Sequence, residues 1–154
     1  MKLEGSYRIA APRQQVWDAL LNPDILRRVI PGCEKLEPTA DHRYNATFRS
    51  GVGHIKGSFS GEVEISDLDP QNGYTLRARM KSGVGFVEGN GRISLADAEA
   101  EPGTMINYSG AVKTGGLLAS VAGRLIDAAA KKNMDDMFAN LNRELSSIAS
   151  SALS

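Results

Sequence analysis

Apolar and polar positions change their period twice along the chain. Residues 3–9 alternate, with Leu3, Gly5, Tyr7 and Ile9 on one face, which predicts a half-buried strand. Ala11-Pro12 breaks that pattern, and proline suits the first turn of a helix. Val16, Trp17, Leu20 and Leu21 then recur at helical spacing, predicting a short amphipathic helix over 12–21. Asn22-Pro23 starts a second short helix carrying Ile25, Leu26, Val29 and Ile30, and Pro31-Gly32 stops it.

From about residue 34 to 114 the period is two. Tyr44, Ala46 and Phe48 share a face, as do Phe59, Gly61, Val63 and Ile65, then Tyr74, Leu76, Ala78 and Met80. Val87, Gly89, Gly91, Ile93 and Leu95 continue the alternation, followed by Ile106, Tyr108, Gly110 and Val112. One apolar and one polar face per segment predicts an antiparallel sheet solvated on one side. Clusters such as Asp69-Pro70-Gln71-Asn72-Gly73 and Glu101-Pro102-Gly103 mark tight connections between the strands. Thirteen of the sixteen glycines lie between 51 and 116, several of them inside strand patterns. Glycines so placed mark bends and let a long sheet curl.

After Gly115-Gly116 the period becomes helical. Leu118, Val121, Leu125, Ala129, Met137, Leu141 and Leu145 form one stripe, with Leu117, Phe138 and Ile148 beside it. The absence of proline over 117–149 predicts a helix of roughly 30 residues, about 45 Å long. A helix of that length must lie along the curled sheet, the one large apolar face available. The class is therefore α+β, a single domain over 1–149 with a fraying end at 150–154.

Composition narrows the chemistry. Eighteen Lys and Arg balance eighteen Asp and Glu, which argues against nucleic acid as the main partner. The apolar fraction of 42% excludes disorder. No run of about 18 apolar residues occurs, and Glu4 interrupts the N-terminus before any signal-peptide core could form. The lone Cys33 forms no internal disulfide, so a reducing, cytoplasmic setting is the simpler expectation. No cluster of His, Cys or carboxylates has metal-ligand spacing. His42 and His54 both read as loop histidines, and neither has a partner pattern for a nucleophilic triad. Gly83-x-Gly85 and Gly89-x-Gly91 lack the helix and the Lys-Ser/Thr of a phosphate loop. No catalytic or metal residue is assigned.

What remains is the space between sheet and helix. Ala46, Gly61, Ala78, Gly89, Gly91 and Gly110 are small residues on the inner face, which leaves room for a cavity. The opposing reading is that Trp17, Met80, Met137 and Phe138 fill it. The cavity candidates are Trp17, Phe48, Phe59, Val63, Met80, Phe86, Tyr108, Leu118, Val121, Leu125 and Met137.

The order strand, two short helices, curled sheet, long helix resembles the helix-grip fold of the START-like (SRPBCC) superfamily. Ala11-Pro12-x-x-x-Val16-Trp17, Asn22-Pro23 and above all Ile30-Pro31-Gly32-Cys33-Glu34 resemble one family within it, that of the carbon monoxide dehydrogenase G subunit. Gly51-Val52-Gly53-x-x-Lys56-Gly57, Gly85-Phe86-Val87-x-Gly89-x-Gly91 and Gly123-Arg124-Leu125-Ile126 extend the likeness over about 1–145. The resemblance implies a non-catalytic accessory protein serving a molybdenum hydroxylase such as aerobic carbon monoxide dehydrogenase. A quinone or lipid would be held in the cavity without covalent attachment, and the protein would take part in membrane and quinone coupling. Longer members carry a C-terminal membrane segment, whereas this sequence stops at Ser154. Weak membrane binding, at most peripheral at the inner face, is the expectation. The rival implication is an enzyme, since START-like relatives include cyclases, dehydratases and hydrolases. Tyr44, Tyr74 and Tyr108 are then the inner-face groups able to move a proton.

Overall fold

The computed structural model describes residues 2–52, 55–99, 103–121 and 123–153, with backbone alone at 50–52, 55 and 147–153. The chain runs through β1 (Lys2–Ile9), α1 (Arg13–Leu20), α2 (Pro23–Val29), β2 (Cys33–Ala40) and β3 (Arg43–Val52). It continues through β4 (Ile55–Asp69), β5 (Gly73–Ser82), β6 (Gly85–Asp97) and β7 (Thr104–Gly115). A short 3₁₀ helix (Gly116–Ser120) then leads into α3 (Gly123–Leu153). The strands form one antiparallel sheet in the order β1-β7-β6-β5-β4-β3-β2. This is the curled sheet around a long helix that the sequence predicts.

The curl has a visible cause. A Cβ added at Gly61 would sit 1.8 Å from the Arg79 carbonyl oxygen on the next strand. At Gly110 it would sit 2.4 Å from the carbonyl oxygen of Asn90. Only residues without a side chain let neighbouring backbones close in this way on the inner face. Ala46, Gly61, Met80, Val87 and Thr114 make one continuous rung across five strands, so small and large residues face α3 side by side.

α1 buries Val16, Trp17, Ala19 and Leu20. α2 starts where the Asn22 side-chain oxygen accepts hydrogen bonds from the N–H groups of Asp24 (3.0 Å) and Ile25 (3.4 Å), with Pro23 in the first turn. The buried Thr104 hydroxyl donates to the Ala11 carbonyl at 2.7 Å and ties β7 to the entry of α1. The second half of α3 is seated by Phe138, Leu141 and Leu145, all buried. Its Asn142 side-chain oxygen accepts from the Ala10 N–H at 2.8 Å, and Asn140 donates to the Val29 carbonyl at 2.9 Å.

One strand goes beyond what the alternation picked out, and the bounds of the last helix differ from those expected. β2 is a strand that the alternation did not reveal, because its sole buried residue is Leu36 and it contains Pro38. As the last strand of the sheet, it pairs only with β3 and tolerates proline. The helix expected from 117 begins instead at Gly123, since Val121 is extended (ψ 138°) and separates the 3₁₀ turn from α3. The backbone stays helical to Leu153, through the stretch expected to fray. Ile148 lies where side chains are not described.

The Gly61 contact makes a measurable claim. Gly61→Ala forces β4 and β5 apart and should lower the unfolding free energy by about 1–3 kcal/mol, the usual range for overpacking. Gly83→Ala, at a glycine with open space around it, should stay within about 0.5 kcal/mol. Urea unfolding of the two variants gives the comparison; equal midpoints would remove the steric account of the curl.

Candidate functional site

The first half of α3 does not close onto the sheet. Between them lies a cavity of about 290 Å³. Its sheet side is made by Phe48 of β3, Phe59 of β4, Met80 of β5, Val87 of β6, and Val112 and Thr114 of β7. Its helix side is made by Ile126, Ala129, Ala130, Asn133, Met134 and Met137 of α3. Leu118 of the 3₁₀ turn, with Ile30 and Pro31 after α2, completes the wall.

Local sequence places these groups. Phe48 and Phe59 are direct cross-strand partners, and Met80, Val87 and Thr114 belong to the rung that contains Gly61. Leu118 is fixed by its N–H bonding to the Val84 carbonyl at 3.1 Å. Ile30 and Pro31 are held by Gly32, whose φ of 73° suits glycine. An added Cβ there would lie 2.1 Å from the Arg49 carbonyl oxygen. The Arg49 N–H in turn donates to the Gly32 carbonyl at 2.8 Å. The Pro-Gly-Cys segment is therefore a hinge that folds one wall of the cavity against β3.

Of the sequence candidates, Phe48, Phe59, Met80, Leu118 and Met137 line the cavity. Trp17 is buried elsewhere, edge-on to Tyr74 with ring centroids 5.8 Å apart. Tyr108 stacks on Phe138 at 5.8 Å, outside the lining. Phe86 lies across Gly115, its cross-strand partner, where a Cβ would meet the ring at 1.9 Å. Val63 sits between Tyr44 and Ala78 in the sheet, and Val121 occupies the bend before α3. Leu125 is 46% exposed and points away; its neighbour Ile126 takes the inward position. The supposed fillers therefore split: Trp17 and Phe138 pack the core, whereas Met80 and Met137 border open space. Alternation extended one step beyond Val112 would have found Thr114. Asn133 gives no apolar signal, and Met134 fits a helical stripe only once the start of α3 is known.

No ionisable side chain is among the described residues lining the cavity. Burial is the main cause that raises the phenol pKa of Tyr44, Tyr74 and Tyr108 above the usual range. For Tyr74 the neighbouring Tyr44 adds to it, and for Tyr108 the charge of Asp135 does. None of the three lines the cavity. Among the described residues no group of three or more His, Cys, Asp or Glu is placed to hold a metal ion. His54 lies outside the described residues.

Cys33 is half-buried, and its thiol donates to the Lys35 carbonyl at 3.6 Å. Desolvation raises its pKa above the ordinary thiol value; the hydrogen bond and the charge of Arg27 oppose this and are outweighed. The reactive thiolate fraction at neutral pH is accordingly small. Iodoacetamide should alkylate Cys33 more slowly than a free cysteine peptide at pH 7.5. Its rate should still be climbing at pH 9; a plateau below pH 8 would mean an activated thiolate.

Among curated proteins none matches the chain. Of solved structures, a conserved protein from Geobacillus kaustophilus superposes with a TM-score of 0.90 at 28% identity, covering 96% of each chain. A START superfamily protein from Mycobacterium smegmatis superposes at 0.71 with 10% identity, covering 96% of this chain and 98% of that one. The Zhui aromatase/cyclase of Streptomyces sp. R1128 does so at 0.65 with 16% identity over 94% and 92%. These last two likenesses establish the START-like fold. Residues 5–146 match the family of the carbon monoxide dehydrogenase G subunit, CoxG. With the Ile30–Glu34 hinge and the sheet–helix cavity in place, the chain belongs to the CoxG family.

Proposed function

We propose that the cavity holds an uncharged apolar ligand, a quinone or lipid-like molecule, in the service of a molybdenum hydroxylase of the aerobic carbon monoxide dehydrogenase kind. The chemistry of the lining carries this reading. Apart from Thr114 and Asn133, aliphatic, aromatic and thioether side chains bound the space, and no charged group faces it among the described residues. Family membership supports the link to a dehydrogenase. The Zhui aromatase/cyclase shares the fold, but the described residues of the lining here offer no general acid or base for an enzymatic step. That supports binding rather than chemistry.

Size shapes the ligand. A volume near 290 Å³ is at the small end of ligand sites, enough for a ring and the start of a tail. Burying about 400 Å² of ligand at about 25 cal/mol/Å² contributes roughly 10 kcal/mol gross. Association costs of about 4–15 kcal/mol leave a bare head group with modest affinity. The first tail units add buried area, and units beyond the cavity add little.

The domain is electrically lopsided, although its net charge is zero. At the cavity end of the sheet, residues 49–52, 55–58, 81–86, 113–121 and 123–126 contain Arg49, Lys56, Lys81, Lys113 and Arg124 and no carboxylate. Arg49 is ion-paired with Glu34 at 3.2 Å. Strand ends and turns at the other end hold Asp41, Asp67, Asp69, Asp97 and Glu99, with Asp97 ion-paired to Arg13 at 2.9 Å. Leu117 and Leu125 are exposed on the basic side. No helix among the described residues is long and apolar enough to cross a membrane. We place the protein in the cytoplasm, with this end making weak, salt-sensitive contact with the anionic inner leaflet.

Two measurements follow. Titration with quinones of increasing isoprenoid length should show affinity rising over the first one or two units and then levelling; affinity independent of tail would remove the cavity from the account. Co-sedimentation with vesicles should be weak without anionic lipid, stronger with it and abolished by high salt. Lys56→Glu/Lys81→Glu should reduce it severalfold, and no change would mean that the contact lies elsewhere.

A further inference from the structure

The sheet ends in two edge strands, β1 and β2, and they are built differently. β2 contains Pro38, which lacks an N–H, and its register with β3 shifts between Cys33 and Lys35 and again between Pro38 and Ala40. Its Lys35 and Glu37 are ion-paired at 3.5 Å. Proline, bulges and charge are devices that keep a strand edge from pairing with another chain. β1 has no proline, and Lys2 to Ile9 pair with Ala111 to Thr104 of β7 without a shift. Alternate residues of such a strand turn their N–H and C=O away from the sheet. No described strand lies beyond β1, and β1 gives no described residue to the cavity wall.

The strand that fits this edge is a second copy of β1. Two copies related by a two-fold axis run antiparallel and pair residues of the same face, so the axis passes through a single residue of the strand. On the outer face β1 carries Lys2, Glu4, Ser6 and Arg8, all exposed. An axis at Glu4 sets that carboxylate against its own copy, and an axis at Gly5 sets Lys2 against Arg8. An axis at Leu3 overlaps residues 2–4 alone, and one at Tyr7 overlaps 5–9 and joins no opposite charges. An axis at Ser6 overlaps residues 3–9 and sets Glu4 against the partner's Arg8 on both sides of the axis. On the inner face the same register lays the half-buried Leu3 beside the partner's Ile9. Opposite charges directly across two strands are favourable and like charges are not. The charge pattern of β1 therefore selects one register.

We propose that β1 is a self-association edge, at which two copies of the chain join β1 to β1 antiparallel about Ser6 and extend both sheets into one. The outward amides and carbonyls of each edge are then paired, and two Glu4–Arg8 pairs flank the axis. Ser6 is small, and its hydroxyl is turned back onto Asn107 of its own β7 at 2.6 Å, so no bulky side chain stands on the axis. The joint lies beside the stack of Tyr7 on Phe138 and uses no cavity residue, so each copy keeps its own site.

Sedimentation equilibrium of the full chain should show a monomer passing to a dimer as concentration rises. Glu4→Arg and Arg8→Glu should each weaken that dimer about tenfold, and the double swap Glu4→Arg/Arg8→Glu should restore it to within about threefold. Because Arg8 also has a contact within its own chain, the restoration, rather than either single loss, carries the register. A second measurement reads the axis directly. Ser6→Cys in a Cys33→Ser background should form a disulfide-linked dimer under mild oxidation, whereas Lys2→Cys in the same background, far from its own copy in this register, should not. Thermal melting shows that each variant folds. A chain that stays monomeric at every concentration, or that extends its sheet only when a different protein is added, would overturn the proposal. Single swaps that weaken the dimer without restoration by the double swap, or cross-linking through Lys2→Cys in place of Ser6→Cys, would overturn the register.

Discussion

The placement of α3 depends on Phe138. Its ring lies between those of Tyr7 on β1 and Tyr108 on β7, with centroids 5.5 and 5.8 Å away, and is essentially removed from solvent. Offset ring contacts of this kind add to the area they bury. They fix both the rotation of the helix and its height above the sheet. Leu141 and Leu145 extend the seat toward the C-terminus, and Asn140 and Asn142 bolt it to α2 and to the end of β1. N-terminal to this clamp the inward side chains shrink to Ala129 and Ala130 beside Met134, over a sheet whose facing rung includes Gly61 and Ala46. The helix is firmly supported at one end and spans a gap at the other. The cavity is the consequence.

The same mismatch explains the glycines. A sheet flat enough to meet α3 along its whole length would leave no space, and one curled without steric relief would drive Cβ atoms into neighbouring carbonyls. Gly61, Gly91 and Gly110 supply that relief: added Cβ atoms would lie 1.8, 2.7 and 2.4 Å from partner carbonyl oxygens. At Gly5 and Gly115 the missing side chain serves another purpose, since the rings of Tyr108 and Phe86 lie over these cross-strand partners. Two of the largest aromatic candidates for the cavity are thus occupied in covering backbone.

Where a residue's chemistry and its alternation agreed, the sequence was easy to read: five central strands, both short helices and the curl came from period and glycine placement. β2 was hidden because an edge strand with a single buried residue, Leu36, leaves almost no periodic signal. The phase of α3 was hidden by adjacent apolar residues. Leu125 and Ile126 both extend a stripe, Ala128-Ala129-Ala130 has no phase of its own, and the extended Val121 resets the register between Leu118 and the helix. Only the Phe138 clamp decides between them, and its partners are about 30 and 130 residues away in sequence. The Pro31-Gly32 hinge was legible as a motif; its role as a cavity wall rests on the backbone of Arg49, which no local pattern encodes.

Three of the lining residues are methionines, Met80 on the sheet and Met134 and Met137 on the helix. Thioether side chains adjust their torsions at little cost and fit irregular apolar shapes. On a firmly seated helix such softness would loosen a core, but here the clamp at Phe138 carries the packing, and the methionines border space that is not needed for stability. Order and adaptability are separated along one helix. The half of α3 that holds the fold together is aromatic and hydrogen-bonded to its neighbours, and the half that borders the cavity is small, flexible and nearly without polar groups. Substitutions on the two halves should therefore report on different properties: the first on unfolding, the second on which molecules fit.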